Sequence, residues 1–153
     1  MSNKKAIINR HKKFIDEVSE NGVVWGLKSS DGYASLSSRN YEDENGKPIE
    51  VVCFWSNKKL AEDIQNEHWK NKEVRAIKLF RFLENWCVGT FNDNLMMGTN
   101  LDIELIGQEN NPIELAYEIL LHLKTKEKEL NFKNHSSHQE FEKAVKDIYA
   151  QFE

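Results

Sequence analysis

The four residues Ser29-Ser30-Asp31-Gly32, set between two extended runs, constrain the fold of this chain more than any other feature. Before them Val23, Trp25 and Leu27 alternate, and after them residues 33–38 resume an extended pattern. Gly32 supplies the positive φ that a tight turn needs, so a β-hairpin is predicted. A second turn signal, Asn45-Gly46, lies in the polar stretch 39–48. The run from Ile49 to Trp55 is then β-branched and aromatic, suited to a sheet interior. The three runs predict an antiparallel meander.

Helical periodicity surrounds the meander. Ile7, Ile8, His11, Phe14, Ile15 and Val18 fall on one face over residues 6–18, and Asn21-Gly22 ends that helix. Ser56 or Asn57 can cap a second helix whose Leu60, Ala61, Ile64 and His68 share a face. A strand is predicted from Glu73 to Lys78. A helix follows over 79–91 with Leu79, Phe82, Leu83, Trp86 and Cys87 inward, and a short strand over 95–99. Pro112 opens another helix, because a first-turn residue needs no N–H donor. After the polar stretch 124–138, Phe141, Val145, Ile148, Tyr149 and Phe152 recur at amphipathic helical spacing.

The pattern predicts an α+β fold: a three-strand antiparallel meander extended to about five strands, with about four helices on one face and a C-terminal amphipathic helix. Residues 1–125 read as one domain, and 126–153 as a linker and helix docked on it. The apolar stripe Phe141, Val145, Ile148 and Phe152 needs a covering surface. The core is the favoured one, and a dimer contact is the alternative.

Charge narrows the function classes. The net charge of −4 and pI near 5.8 disfavour a general affinity for nucleic acid, which a basic face would provide. No apolar run approaches the roughly 20 residues of a membrane span. The N-terminus is basic, but Arg10, His11, Lys12 and Lys13 interrupt any signal-peptide core, so a cytoplasmic location is expected. Cys53 and Cys87 lie in apolar patterns and read as reduced, buried thiols.

Several ordered blocks carry a resemblance. They are Phe14-x-x-x-Val18, Val24-Trp25-x-Leu27-x-x-x-Asp31-Gly32-Tyr33-Ala34, Val52-x-Phe54-Trp55-Ser56, Ile77-x-Leu79-x-x-Phe82-Leu83-Glu84-x-Trp86 and Met97-Gly98-x-Asn100. Over roughly residues 8–123 the chain resembles a bacterial family known only as domain of unknown function number 2750. The resemblance implies a compact cytoplasmic α+β domain and lends no catalytic residue. Two departures stand out: Ser56 occupies a position where the family usually has Pro, and the tail beyond Lys124 reads as an addition.

No motif assembles a reaction. His135 and His138 with Glu142 are the sharpest metal candidates, yet a solvated helix start explains them more simply, and neither a metal nor a cofactor is expected. No GxSxG elbow and no phosphate-cradling glycine cluster occurs. Glu42-Asp43-Glu44 is contiguous in a loop and reads as solvation. Alternation sends Phe54 and Trp55 to opposite sheet faces, so one of them, with Trp25 or Tyr33, could form an aromatic recognition surface.

The leading expectation is a non-enzymatic binding module for another protein, in an accessory, immunity-like or regulatory role. One alternative is an enzyme or small-ligand receptor with a pocket between sheet and helices, marked by convergent Arg39, His68 or Glu84. Another is RNA binding through a sheet face bearing Trp25 and Trp55.

Overall fold

The computed structural model describes residues 4–152; Met1 to Asn3, which begin the basic N-terminal stretch, and Glu153 lie outside the described residues. The chain opens with α1 (Lys4–Asn21), which stops where Gly22 adopts a φ of 71° and returns its N–H to the Val18 carbonyl at 2.9 Å. The strands β1 (Val23–Ser29), β2 (Gly32–Tyr33), β3 (Ser35–Glu42) and β4 (Pro48–Phe54) follow. Next come α2 (Lys58–His68) and β5 (Glu73–Lys78). A continuous helical stretch then runs through α3 (Leu79–Arg81), a π-helical segment (Phe82–Cys87) and α4 (Val88–Asn92). The order closes with β6 (Met96–Thr99), β7 (Gln108–Asn110), α5 (Pro112–Thr125), α6 (His138–Tyr149) and a 3₁₀ turn (Ala150–Phe152). The fold class is α+β.

The predicted meander is present at its turns and broken in its middle. β1 meets β2 through only two pairs, Lys28 with Tyr33 and Ser29 with Gly32. Beyond Ala34 the strand leaves β1, and β3 pairs with β4 instead. The vacated edge of β1 is taken by the end of β4, where Trp25 and Trp55 exchange both backbone hydrogen bonds at 2.8 Å. Two sheets result, ordered β2-β1-β5 and β3-β4-β6-β7. The second is mixed, because β4 and β6 run parallel, with Val51 opposite Met96 and Phe54 opposite Thr99. Periodicity reports which side chains share a face and carries no information about strand direction, so the parallel pairing of β4 with β6 leaves no trace in it.

Helices cover both faces of the sheets, whereas coverage of one face was expected. The larger core gathers Phe14, Val18, Phe54, Phe82, Leu83, Ile113, Ile119 and Leu123 beneath α1, the stretch 79–92 and α5. The smaller one, with Leu27, Cys53, Trp55, Ala61 and Ile64, lies beneath α2. Phe54 and Trp55 do point to opposite faces, and each meets a core at 0% exposure. Burial of such side chains contributes roughly 2–3 kcal/mol apiece.

The segment after α5 is more than a linker. Phe132 lies 4.3 Å from the Phe141 ring, centroid to centroid, and Leu130 also packs on the larger core. Phe141 and Val145 of α6 are buried there, Ile148 is half-buried, and Phe152 is exposed beside Phe91 and Tyr149.

Candidate functional site

A polar seam joins the Arg10–Glu17 stretch of α1, the β4–α2 junction and the loop after β6. Asn57 caps α2 by accepting the Leu60 N–H at 2.9 Å, so Ser56 is left between strand and helix with a buried backbone N–H. Asn100 satisfies it. Its Oδ1 accepts the Ser56 N–H at 2.8 Å, and its Nδ2 donates to Ser56 Oγ at 2.9 Å and to the Arg10 carbonyl at 3.2 Å. The Ser56 hydroxyl donates onward to Glu17 at 2.6 Å. Asn100 holds a φ of 49°, a conformation that Asn tolerates better than most residues.

Arg10 fastens the loop from the other side. Its Nε donates to the Asn100 carbonyl at 3.2 Å and one Nη to the Ile106 carbonyl at 2.8 Å, with Asp102 3.5 Å away. Asp102 Oδ1 in turn accepts the N–H groups of Glu104 and Ile106. His68 contacts the Ile103 carbonyl at 2.6 Å, and the Trp55 indole donates to the Leu101 carbonyl at 3.1 Å. Held by these groups, Leu105 persists at a φ of 61°, which an apolar residue adopts only when its surroundings enforce it.

The fastened loop, α1 and α2 enclose a half-open cleft of about 550 Å³. Leu60, Ile64, Leu101 and Ile103 provide its apolar surface, and Ile103 stands 48% exposed at the lip. Arg10 and Lys13 lie on the α1 wall, Asp63 and Glu67 on the α2 wall. Its polar groups build and rim the concavity; none is a nucleophile set beside an oriented base. The chemistry it supports is recognition of an apolar group between charges.

The residues singled out from sequence are distributed elsewhere. Trp25 and Tyr33 are half-buried, and the Tyr33 ring meets Trp86 edge-on at 4.5 Å. Phe54 and Trp55 are core, because α2 covers the face on which Trp55 could have been open. Trp55 nevertheless shapes the cleft through its bond to Leu101. Phe141, Val145, Ile148 and Phe152 lie away from it, against α5 and α4. Arg39 donates to the Glu104 carbonyl, His68 to the loop, and Glu84 binds the tail, so these three do not converge. His138 Nδ1 accepts the Leu130 N–H at 3.0 Å, while His135 Nδ1 donates to Glu84 at 2.8 Å. The two imidazoles thus serve separate anchoring roles.

Glu84 is the second polar centre. It lies in the π-helical segment with a side chain only 1% exposed, and it accepts the N–H groups of Lys133 and Asn134 at 2.7 and 2.8 Å besides His135. Burial alone would raise its pKa; the hydrogen bonds from His135 and the two backbone amides outweigh burial and hold it below the usual carboxylate range. Burial pushes both cysteine thiols far up, and at Cys53 the Glu109 charge acts in the same direction.

The model of the family described as a protein of unknown function, DUF2750, matches residues 11–119, most of the chain. The chain belongs to this family. The DUF2750 match begins at His11 in α1 and ends within α5, so it takes in Ser56 and Asn100 while α6 lies outside it. No curated protein and no solved structure matches the chain. Arg10, Ser56, Asn100 and Ile103 were not singled out as site residues from sequence. The blocks ending in Trp55-Ser56 and Asn100 held the one usable signal, a polar residue closing each apolar strand.

Proposed function

We propose that this chain is a non-catalytic bacterial binding domain of the cytoplasm that takes a segment of another protein in the cleft between α1, α2 and the 100–106 loop, in an accessory, immunity-like or regulatory role. One observation carries the reading: an apolar floor rimmed by charges of both signs, held open by the Asn100–Ser56–Arg10 seam. Two buried, unpaired thiols suit a reducing compartment. Among the described residues no helix is long and apolar enough to cross a membrane. A small-ligand receptor is the second reading, favoured by a cleft volume within the few hundred to about 1,000 Å³ typical of such sites.

A photo-crosslinking residue placed at Ile103 tests the proposal in living cells, with Leu121, exposed on α5, as the control position. The expected result is one discrete protein adduct from position 103 and none from position 121. No protein adduct from position 103, or the same adduct from both, overturns it.

A further inference from the structure

The charges on the cleft rim are segregated by wall. On α1, Arg10 and Lys13 are three residues apart; on α2, Asp63 and Glu67 are four apart; each pair shares a helix face. The inner charges are already engaged. Arg10 is bound to the loop carbonyls and Asp102, and Asp63 pairs with Lys59 at 2.8 Å. The outer two are not: among the described residues neither Lys13 nor Glu67 has a hydrogen-bond or ion-pair partner. An unpaired cation and an unpaired anion thus face one another across a floor of Leu60, Ile64, Leu101 and Ile103.

We infer that the cleft accepts a protein segment whose apolar side chain enters the floor and whose flanking residues are acidic toward Lys13 and basic toward Glu67. This rests on the protein-binding reading above and adds the chemistry and orientation of the occupant. The apolar contact supplies affinity without direction. The two walls supply direction, because a reversed segment sets like charge against like on both sides. The whole chain, at −4, carries no strong field of its own to orient such a segment, so the rim governs its polarity.

A random peptide library panned in parallel against the full chain, its Lys13→Glu/Glu67→Lys variant and its Ile103→Asp variant provides the test. All three positions are exposed, and matching thermal melting curves confirm that the variants fold. The wild type is expected to enrich peptides with an apolar residue between an acidic and a basic one. Those peptides bind the charge-swapped chain about fivefold or more weakly, from two exposed ion pairs of roughly 0.5 kcal/mol each. Peptides that Ile103→Asp loses but the swapped chain binds equally overturn the charge assignment and leave the cleft standing. Absence of any enriched peptide that depends on Ile103 overturns both.

Discussion

The side chain of Asn100 and the backbone of Ser56 meet across 44 residues of chain, with the amide oxygen 2.8 Å from the Ser56 nitrogen. The contact ties the end of β6 to the start of α2, and both ends of it are buried. It sets the distance between two walls of the cleft.

Asn100→Ala is therefore expected to destabilise the protein by about 3 kcal/mol. The Ser56 N–H loses its acceptor, worth roughly 1–3 kcal/mol, and Ala is strained at positive φ by about 1 kcal/mol more. Asn100→Gly removes the same hydrogen bonds without that strain and should lie about 1 kcal/mol above Ala. Urea denaturation of the two variants measures the difference; equal stabilities would count against the backbone contribution.

Glu84 anchors the tail in a pH-dependent way. Its folded pKa is depressed, so its contribution is complete above the unfolded value of about 4.3 and disappears as pH falls through the folded value. Glu84→Gln cannot accept all three donors and is expected to lose about 2 kcal/mol at pH 7. Denaturation of both proteins from pH 7 down to pH 3 should show the gap holding at neutral pH and shrinking below about pH 4.3. Limited proteolysis at pH 7 should cut the variant faster within 126–137, where the anchored Lys133 and Asn134 lie.

Two glycines should respond oppositely to alanine. A Cβ on Gly26 would sit 2.8 Å from two ring carbons of Tyr33, whose ring is itself backed by Trp86. Gly26→Ala should cost about 1–3 kcal/mol and lower Tm by roughly 5 °C. A Cβ on Gly89, in α4, meets nothing within 4 Å, so Gly89→Ala should raise stability by up to about 1 kcal/mol. Differential scanning calorimetry of the pair reads both signs.

Both thiols should be silent in the native protein. Cys53 and Cys87 are buried, and the thiolate each would need is disfavoured by that burial. Ellman's reagent at pH 8 is expected to label neither thiol under native conditions and both in guanidinium. Rapid native labelling would show that one of these cores opens readily.

Local chemistry made much of the fold legible. Asn57 at the head of α2, Asn111 before Pro112 and the helical stop at Gly22 are each written in one or two adjacent residues, and the structure uses each as a cap or a stop. β7 leaves no mark in the sequence, since Gln108-Glu109-Asn110 has neither length nor apolar alternation and becomes a strand only by pairing with β6. The π-helical segment was equally hidden in a run that reads as ordinary helix.

The opposite faces of Phe54 and Trp55 followed from strand periodicity alone, because successive side chains of any strand alternate. Which face would remain open did not, for that depended on where α2 came to rest, and α2 rests on Trp55. The cleft obeys the same division. Apolar spacing on α2 and the capping Asn57 were determined locally; the meeting of Asn100 with Ser56 across 44 residues and with Arg10 across 90 was decided only when β4, β6 and α1 were brought together, since hydrogen bonds of such span leave no periodic trace along the chain.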